Sequence, residues 1–558
     1  MENVYRYKHN PIVRKIFVSM LIPTILMNLT TSIASMADTM IIGHYLSDSA
    51  LSVVTFATPI YMVINVFAAL FAVGGCIAMG IDSGKGNKAD ANKAFSISME
   101  MLALMGLFMV IAGLFFSRSI THWLGANEDV FDLVQAYARV ILLGAPFLAL
   151  NTGLAFFVRN DGRPTLSMIG MISSIAVDIA LNFVFVGYMD LGVLGAAYST
   201  VLGSVVSIAI LSTHFFSAKN TLKFRFGLDS MVLRIAKNGG GAALQFVYQF
   251  VTILILNHLI AGLAGTDGVV LYTVVFNLST VSLSLFEGIS QTIQPMVSNY
   301  FGEKSFRNIR ATMRLAFITT FVICGAVTLL LEIAPQFVPM VFGIESQELM
   351  AKASVAVRIY ATSMVITTVN VVIGYYLQSI EQSGLASVMI SLRSFVVFMI
   401  SALLFGGLFG INGIWAAYLV SEMVTFAVCL IVLKYKRAAM KKEGMQLNMF
   451  LLDARIEAGS ECLTFVGGKT DVELFGREAR KYLPDAGYVT CLKEYLASAK
   501  GACVEIEINN EEGIIYVRDN LKDRNVPLES LRAAAGAENI NRDAVLGWNR
   551  LTITVKQG

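Results

Sequence analysis

Charge is what this chain has least of. Only 15% of its 558 residues are Asp, Glu, Lys or Arg, where soluble domains carry about a quarter. With 56% hydrophobic residues and a mean hydropathy of +0.67, that shortage excludes an ordinary soluble globular chain. Cysteine is also sparse. Cys76, Cys324, Cys429, Cys462, Cys491 and Cys503 form no C-x-x-C pair, which argues against a disulfide scaffold or a thiolate metal site. The five histidines have no ligand spacing. No nucleophile–base constellation points to an enzyme, and no nucleic-acid partner is expected. The N-terminus MENVYRYKHNPIVRK is basic and enters a long helix with no small-residue cleavage site, so no cleaved signal is expected.

What is abundant is long apolar runs. Runs of roughly spanning length recur over 14–43, 50–76, 95–117, 131–155, 164–188, 191–216, 235–262, 268–298, 312–340, 355–378, 384–408 and 411–434. The first is long, and Pro23 marks a bend point. Connecting segments alternate in charge. Arg14 and Lys15, then Lys85, Lys88 and Lys93, then Arg159 and Arg163 fall on one side. Lys219 to Lys237, then Lys304 to Arg314, and the lysines and arginines from Lys434 to Lys442 join them. The opposite connections are nearly free of Lys and Arg. The positive-inside rule then places both termini in the cytoplasm.

The chain also repeats itself. GKGNKADANKAF (Gly84–Phe95) matches FGEKSFRNIRATM (Phe301–Met313), pairing Gly86 with Gly302 and Lys88 with Lys304. LGVLGAAY (Leu191–Tyr198) matches FGINGIWA (Phe409–Ala416). An offset of six helices implies two halves of parallel topology related by an axis along the membrane normal, with a cleft between them. The expected fold is an all-α polytopic membrane protein with twelve transmembrane helices in two six-helix lobes, plus a small cytoplasmic α+β domain. The divisions are 1–216, a linker 217–234, 235–437, and the tail 445–558. In the tail, Val472–Leu483 and Cys491–Lys500 read as amphipathic helices. Cys503–Asp519 reads as a hairpin and Leu551–Lys556 as a last strand.

One segment organises the rest. PTLSMIGMISSIAVDIALN (Pro164–Asn182) keeps Asp178 in an apolar helix, with no Lys or Arg within a turn or two. A carboxylate at membrane depth costs roughly 3 kcal/mol or more and marks a functional site by default. Ser174, Asp178 and Asn182 are spaced i, i+4, i+8 and share one face; Thr200 on the next helix adds a hydroxyl. Such oxygens suit a proton relay or a small hard cation. A packing stripe of interhelical hydrogen bonds is the bland alternative.

The pattern resembles the MATE (multidrug and toxic compound extrusion) family, including its MepA-like and DinF-like bacterial subgroup. The residues that carry the resemblance are IPTILMNLTTSIASMADTMIIGHY in the first helix, Asp178 with the GAA-x-x-T turn, and GISQTIQPMVSNYFGEKSFRNIR at the end of the eighth. Arg393 in SLRSF and the opening GINGIW of the twelfth helix complete it. The resemblance spans residues 10 to 437 and implies a cation-coupled exporter. It assigns coupling to Asp38 and Asp178, with Thr200 and Asn151 beside them. Ser174 stands where an Asn is usual, which weakens a tight sodium site at Asp38, Asp178 and Thr200. Gln249 stands where some relatives have an acid in the seventh helix, so coupling is expected in the first half. No cofactor is implied beyond H+ or Na+ as coupling ion.

Among the other intramembrane polar residues, Glu287 is either a counter-charge for a cationic substrate or a partner of Arg393, and a Glu422–Arg393 pair is favoured. The 26 Met and 36 Phe suit a cleft that accepts varied shapes, although most simply fill helices. The tail resembles, faintly, the GHKL ATP-binding fold. Glu494 fits, but Ser498 replaces the Mg-binding Asn, and Asp519-Asn520 runs into Leu521 rather than Gly. No nucleotide chemistry is assigned to it and its partner is left open. The expected protein is a monomeric antiporter in a bacterial plasma membrane, exporting small cationic or amphipathic compounds among the membrane lipid. A lipid-linked precursor flippase, or a membrane-anchored sensor with the tail as output, are the alternatives.

Overall fold

Apolar runs become helices because the bilayer offers no partner for a free backbone amide, and a helix satisfies its own. The computed structural model describes residues 11–45, 48–126, 128–225, 227, 229–342, 344 and 346–442. In the tail it describes 447–448, 453–454, 462–467, 472–480, 483, 486–498, 504–509, 514–519 and 540–555. Within these ranges the side chains of 35–40, of 42–52 and of Ser498 are among those outside the described set.

Among the described residues, twelve helices are long and apolar enough to cross a membrane. In chain order they are Pro11–Ala34, Val53–Gly84, Lys88–Phe115, Glu128–Asn160, Pro164–Tyr188, Gly192–Phe216, Met231–Leu256, Gly268–Gly302, Phe306–Ile333, Gln347–Ser379, Ser383–Phe409 and Ile411–Val432. They are called the first to twelfth spans below. The first belongs to a helix that runs on to Tyr45 with Pro23 inside it. Helical structure is continuous from Met231 to Gly302 except at Gly265, whose φ of 60° turns the seventh span into the eighth.

The repeat is real, but its register needs correcting. The left-handed residue after the second span is Gly86 (φ 76°), and after the eighth it is Lys304 (φ 55°). Gly86 N donates to Ser83 O and Asn87 N to Asp82 O; Lys304 N donates to Phe301 O and Ser305 N to Tyr300 O. Gly86 therefore corresponds to Lys304, a shift of 218 that also relates Gly192 (φ 58°) to Gly410 (φ 60°). The earlier pairing of Gly86 with Gly302 followed residue identity, whereas the turn preserves backbone geometry. Lys304 pays for the left-handed turn that glycine adopts freely.

The end of the bundle carrying the Lys- and Arg-rich connections is sealed. Small residues let backbones of the two halves touch there. A Cβ added at Gly74 would lie 2.1 Å from Ile235 O, at Gly84 2.2 Å from Asn299 O, and at Gly302 2.1 Å from Ile81 O. Gly80 faces the Ser298 hydroxyl just as closely. Beside this seam Arg234 bridges the halves, reaching Asp82 at 2.8 Å and Glu381 at 2.6 Å. The linker is strapped down as well. Asp161 accepts from Thr221 N at 2.9 Å and meets His214 Nε2 at 2.6 Å. Lys223 N donates to Asn92 Oδ1 at 2.8 Å and Arg225 N to Ser96 Oγ at 2.7 Å.

The tail holds a two-residue ladder, β1 (Leu447–Asn448) with β2 (Asp453–Ala454). Its antiparallel five-stranded sheet contains β3 (Cys462–Gly467), β4 (Val504–Asn509), β5 (Ile514–Asp519), β6 (Ile540–Val545) and β7 (Trp548–Thr554), in the order β3-β4-β5-β7-β6. The expected hairpin is β4–β5 and the expected last strand is β7; β3 and β6 were not anticipated. Helices Val472–Ala479 and Ala486–Ser498 cover the apolar face, with Phe475, Leu492 and Leu496 against Ile506, Ile515, Val517 and Ile553. Asp519, read as an adenine-binding position, is buried and bonded to the Tyr495 hydroxyl and to Asn549 Nδ2 at 2.8 Å. The other residues of that resemblance, Asn520 and Leu521, and the Ser498 side chain lie outside the described set.

The seam gives a stability test. Gly302→Val would push a side chain into the Ile81 carbonyl and is expected to destabilise by about 1–3 kcal/mol or more. Gly325→Ala, where nothing lies within 4 Å, should be neutral. Thermal unfolding in detergent, followed with a thiol-reactive dye, separates the two.

Candidate functional site

The fifth and sixth spans are antiparallel neighbours, and Gly203 sets their spacing. A Cβ there would sit 2.5 Å from Ser174 O and 3.4 Å from Asp178 Cβ. This approach brings the polar stripe against the next helix. Asp178 Oδ1 accepts from Thr200 Oγ1 at 3.2 Å and from Asn182 Nδ2 at 3.4 Å, and Asn182 Oδ1 accepts from Ser199 Oγ at 2.9 Å. Ser174, Asp178, Asn182 and Ser199 are all buried. As the i, i+4 spacing predicts, Asn182 reaches the carboxylate from a regular α-helix, Pro164–Asn182, and the wider π-turn starts one residue later at Phe183. Asn151 is also buried, and among the described residues its Oδ1 has no hydrogen-bond partner. Asp38 lies on the first helix, with its side chain outside the described set. Ser199 and Gly203 were missed by sequence reading. Ser199 had a signal, since it precedes Thr200; the need for glycine at 203 appears only once the helices are paired.

A cavity of about 460 Å³ lies between the halves. Gln249, Glu287 and Arg393 are on its wall together, with Asn28, Gln291 and Glu422. Asp178 is not among its lining residues. The two acids on this wall have different partners. Glu422 takes Arg393 as a fork at 2.9 and 3.1 Å and also accepts from Asn370 Nδ2 at 2.7 Å. Glu287 Oε1 accepts from the neutral Gln245 Nε2 at 2.7 Å. Arg393 is therefore the ion-pair partner of Glu422; among the described residues it makes no salt bridge to Glu287, although its charge acts on that carboxylate.

Toward the sealed end an amide network joins the halves. Arg159 Nη1 donates to Gln291 Oε1 at 2.8 Å, and Gln291 Nε2 donates to Asn28 Oδ1 at 3.1 Å. The Arg159 guanidinium stacks 4.5 Å over the Phe156 ring. No described carboxylate pairs with it. Gln291 was visible in GISQTIQP, but nothing in the sequence said that it contacts Arg159.

The profile of the MatE family matches residues 23–184 and 240–410, more than half of the chain. This chain belongs to the MatE family. Its curated relatives include the multidrug export protein MepA of Staphylococcus saprophyticus, 25% identical over 420 residues, covering 74% of this chain and 91% of the relative. The MepA of Staphylococcus aureus strain MRSA252 is 24% identical over 438 residues, covering 77% and 96%. Among solved structures, one described as an outward-facing multidrug resistance MATE family transporter of the MOP superfamily superposes with a TM-score of 0.72 at 22% identity. It covers 77% of this chain and 97% of that one. A MOP superfamily transporter from Pyrococcus furiosus, reported for the reversed polarity of its binding pocket, gives 0.71 at 21%, with the same coverage. The MatE match ends at residue 410, well before the tail.

Removing one member of the buried ion pair should be worse than removing both. Arg393→Met is expected to cost about 3–5 kcal/mol because it strands Glu422, and Arg393→Met/Glu422→Leu to recover most of that. Denaturation midpoints of the three proteins in one detergent check this.

Proposed function

We propose that this MatE-family chain is a secondary antiporter that exports small cationic or amphipathic organic compounds in exchange for H+ or Na+. The observation that carries the reading is the separation of two intramembrane acids, Asp178 buried and Glu287 half-buried. Asp178 accepts from Thr200 and Asn182 in one half, and Glu287, bonded to Gln245, faces a cavity between the halves. A carboxylate at membrane depth gains from taking up a proton or a cation, because either removes the desolvation penalty. One site then serves the coupling ion and the other a cationic substrate. Asp38 joins Asp178 in this reading, Thr200 and Asn182 supply further oxygens, and Asn151 stands by in the same half.

The relatives' names, multidrug export protein and multidrug transporter, agree with this reading. Positive loops face the cytoplasm, which places the glycine seam, Arg234 and the tail inside and makes this an outward-facing state. Alternating access follows from rocking the two halves about the cavity, and ion and substrate influence each other's binding reciprocally. A flippase for pyrophosphate-linked lipids would need a cationic cleft. Here Arg393 is neutralised by Glu422, so among the described residues the wall offers no cluster of free cations.

Asp178→Asn keeps the shape of the protonated carboxyl and removes the charge. It is expected to insert normally and to lose at least about tenfold in gradient-driven efflux. The measurement is efflux of a fluorescent cation from vesicles under separately imposed proton and sodium gradients. Wild-type, gradient-dependent efflux by the Asn variant would reduce Asp178 to packing and make Glu287 the next coupling candidate.

A further inference from the structure

The polar face of the tail sheet is not in water. Register places Glu505 beside Arg518, Arg518 beside Arg550, and Arg550 beside Asp543, a charged row across β4, β5, β7 and β6. All four side chains are nearly inaccessible, because this face lies on the basic end of the bundle.

Its contacts fall on both halves. Arg550 Nη1 reaches Glu303 Oε1 at 2.8 Å in the second half, and it also donates to Gly84 O at 3.0 Å in the first. Arg550 Nη2 donates to Ser83 O at 2.5 Å, so the guanidinium caps the C-terminus of the second span. Arg518 joins Glu303, and Ser305 and Asn308 donate to Glu507 and Glu505 at 2.9 Å each. On the first half, Lys88 Nζ donates to Arg542 O at 3.2 Å, and Gly547 packs against Gly162. Leu546 enters an apolar cluster with Ile12, Ile16, Met296 and Met313. Gly84 and Gly302, which close the seam, lie directly under Arg550 and Glu303.

We propose that the tail is a clamp on the cytoplasmic gate: docked as seen here it ties the two halves together over the glycine seam, and that end opens only when the tail lets go. The proposal rests on the alternating-access reading. It explains why a transporter whose relatives are matched over 91–96% of their length by about three quarters of this chain carries a further domain. It also explains why the interface is ionic, since polar interfaces release more readily than apolar ones.

The cluster has its own pH dependence. Burial pushes the Glu507 carboxyl up to about 7; Arg518 opposes this, while Glu505 and Glu303 add to it. From the sheet it faces Arg518 and Glu505. From the bundle it faces Glu303, Ser305 and Tyr300. Lys304 and Arg310 at the same end are exposed and Arg307 is half-buried. The docked value lies above the ordinary one, so the docked tail holds a proton that the free tail releases. Docking is then firmest below the ordinary carboxylate range and weakens as pH rises through about 7.

The test places a cysteine at Ser298, buried in the seam against Gly80, in full-length protein otherwise free of cysteine. Inside-out vesicles are labelled with an impermeant maleimide. Arg550→Ala, and separately a chain ended after Lys442, should label about fivefold faster or more, and labelling of the intact protein, taken relative to the shortened chain at each pH to remove the thiol's own ionisation, should accelerate between pH 6 and 8. Glu507→Gln should flatten that acceleration. In a separate protein, a cleavable cross-link between Lys88→Cys and Arg542→Cys should slow transport severalfold, with recovery on cleavage. Unchanged labelling in both Arg550→Ala and the shortened chain overturns the clamp, as does normal transport by the cross-linked protein. Failure of every form, uncross-linked wild type included, to transport would overturn antiport instead, and the labelling would still decide the clamp.

Discussion

The structure depends on backbones of the two halves meeting without side chains between them. Along Gly74, Gly80, Gly84, Gly239 and Gly302 the second span touches the seventh and eighth so closely that any Cβ would collide. In a bilayer no hydrophobic force drives such contact, because lipid is as apolar as leucine; association comes from close packing and from polar groups that satisfy each other. The seam therefore fixes the geometry at one end of the bundle. The cavity lies beyond it, Arg234 closes it from the side, and the tail covers it. Such a contact either fits or parts, and packed interfaces of this kind have discrete states rather than a continuum.

Beyond the seam, the intramembrane acids differ in what balances them. Glu422 is neutralised by Arg393 and further bonded by Asn370, an arrangement that holds the tenth, eleventh and twelfth spans together. Asp178 and Glu287 receive hydrogen bonds from hydroxyl and amide groups, which stabilise charge without cancelling it. Among the contacts described, an acid of the second kind can take up a proton or a cation without breaking one of these ion pairs. Arg159 is the complementary case, a buried cation supported by Gln291 and the Phe156 ring where the halves meet.

Much of this was legible in the sequence, for definite reasons. Spanning helices follow from the length of apolar runs, and Asp178 stands out because its burial is so unfavourable. The placement of Thr200 followed from one tight turn between adjacent helices. Pairings between distant helices were not legible. Nothing local distinguishes Gln245 from Arg393 as the partner of Glu287, and Gly203 looks like any glycine until Ser174 O is set against it. The repeat was seen, but two residues out of register at the basic turns, because Lys304 occupies a left-handed position where glycine would have signalled the match.

The tail shows the limit most clearly. CVEIEI and IIYVRD alternate as a half-buried hairpin should, and the polar side of such a hairpin ordinarily faces water. Helices Val472–Ala479 and Ala486–Ser498 do take the apolar side. The polar side is buried too, against a surface that is itself polar: the end of the second span, Glu303, Ser305 and Asn308. Glu505, Glu507, Glu303 and Asp543 outnumber Arg518 and Arg550, so the contact buries more negative than positive charge among these groups. Desolvated like charges raise the free energy of the docked state, and a proton on Glu507 relieves part of it. An apolar sheet face would hold the bundle shut at any pH. A face built from carboxylates and arginines holds it conditionally, which is the property a gate element requires.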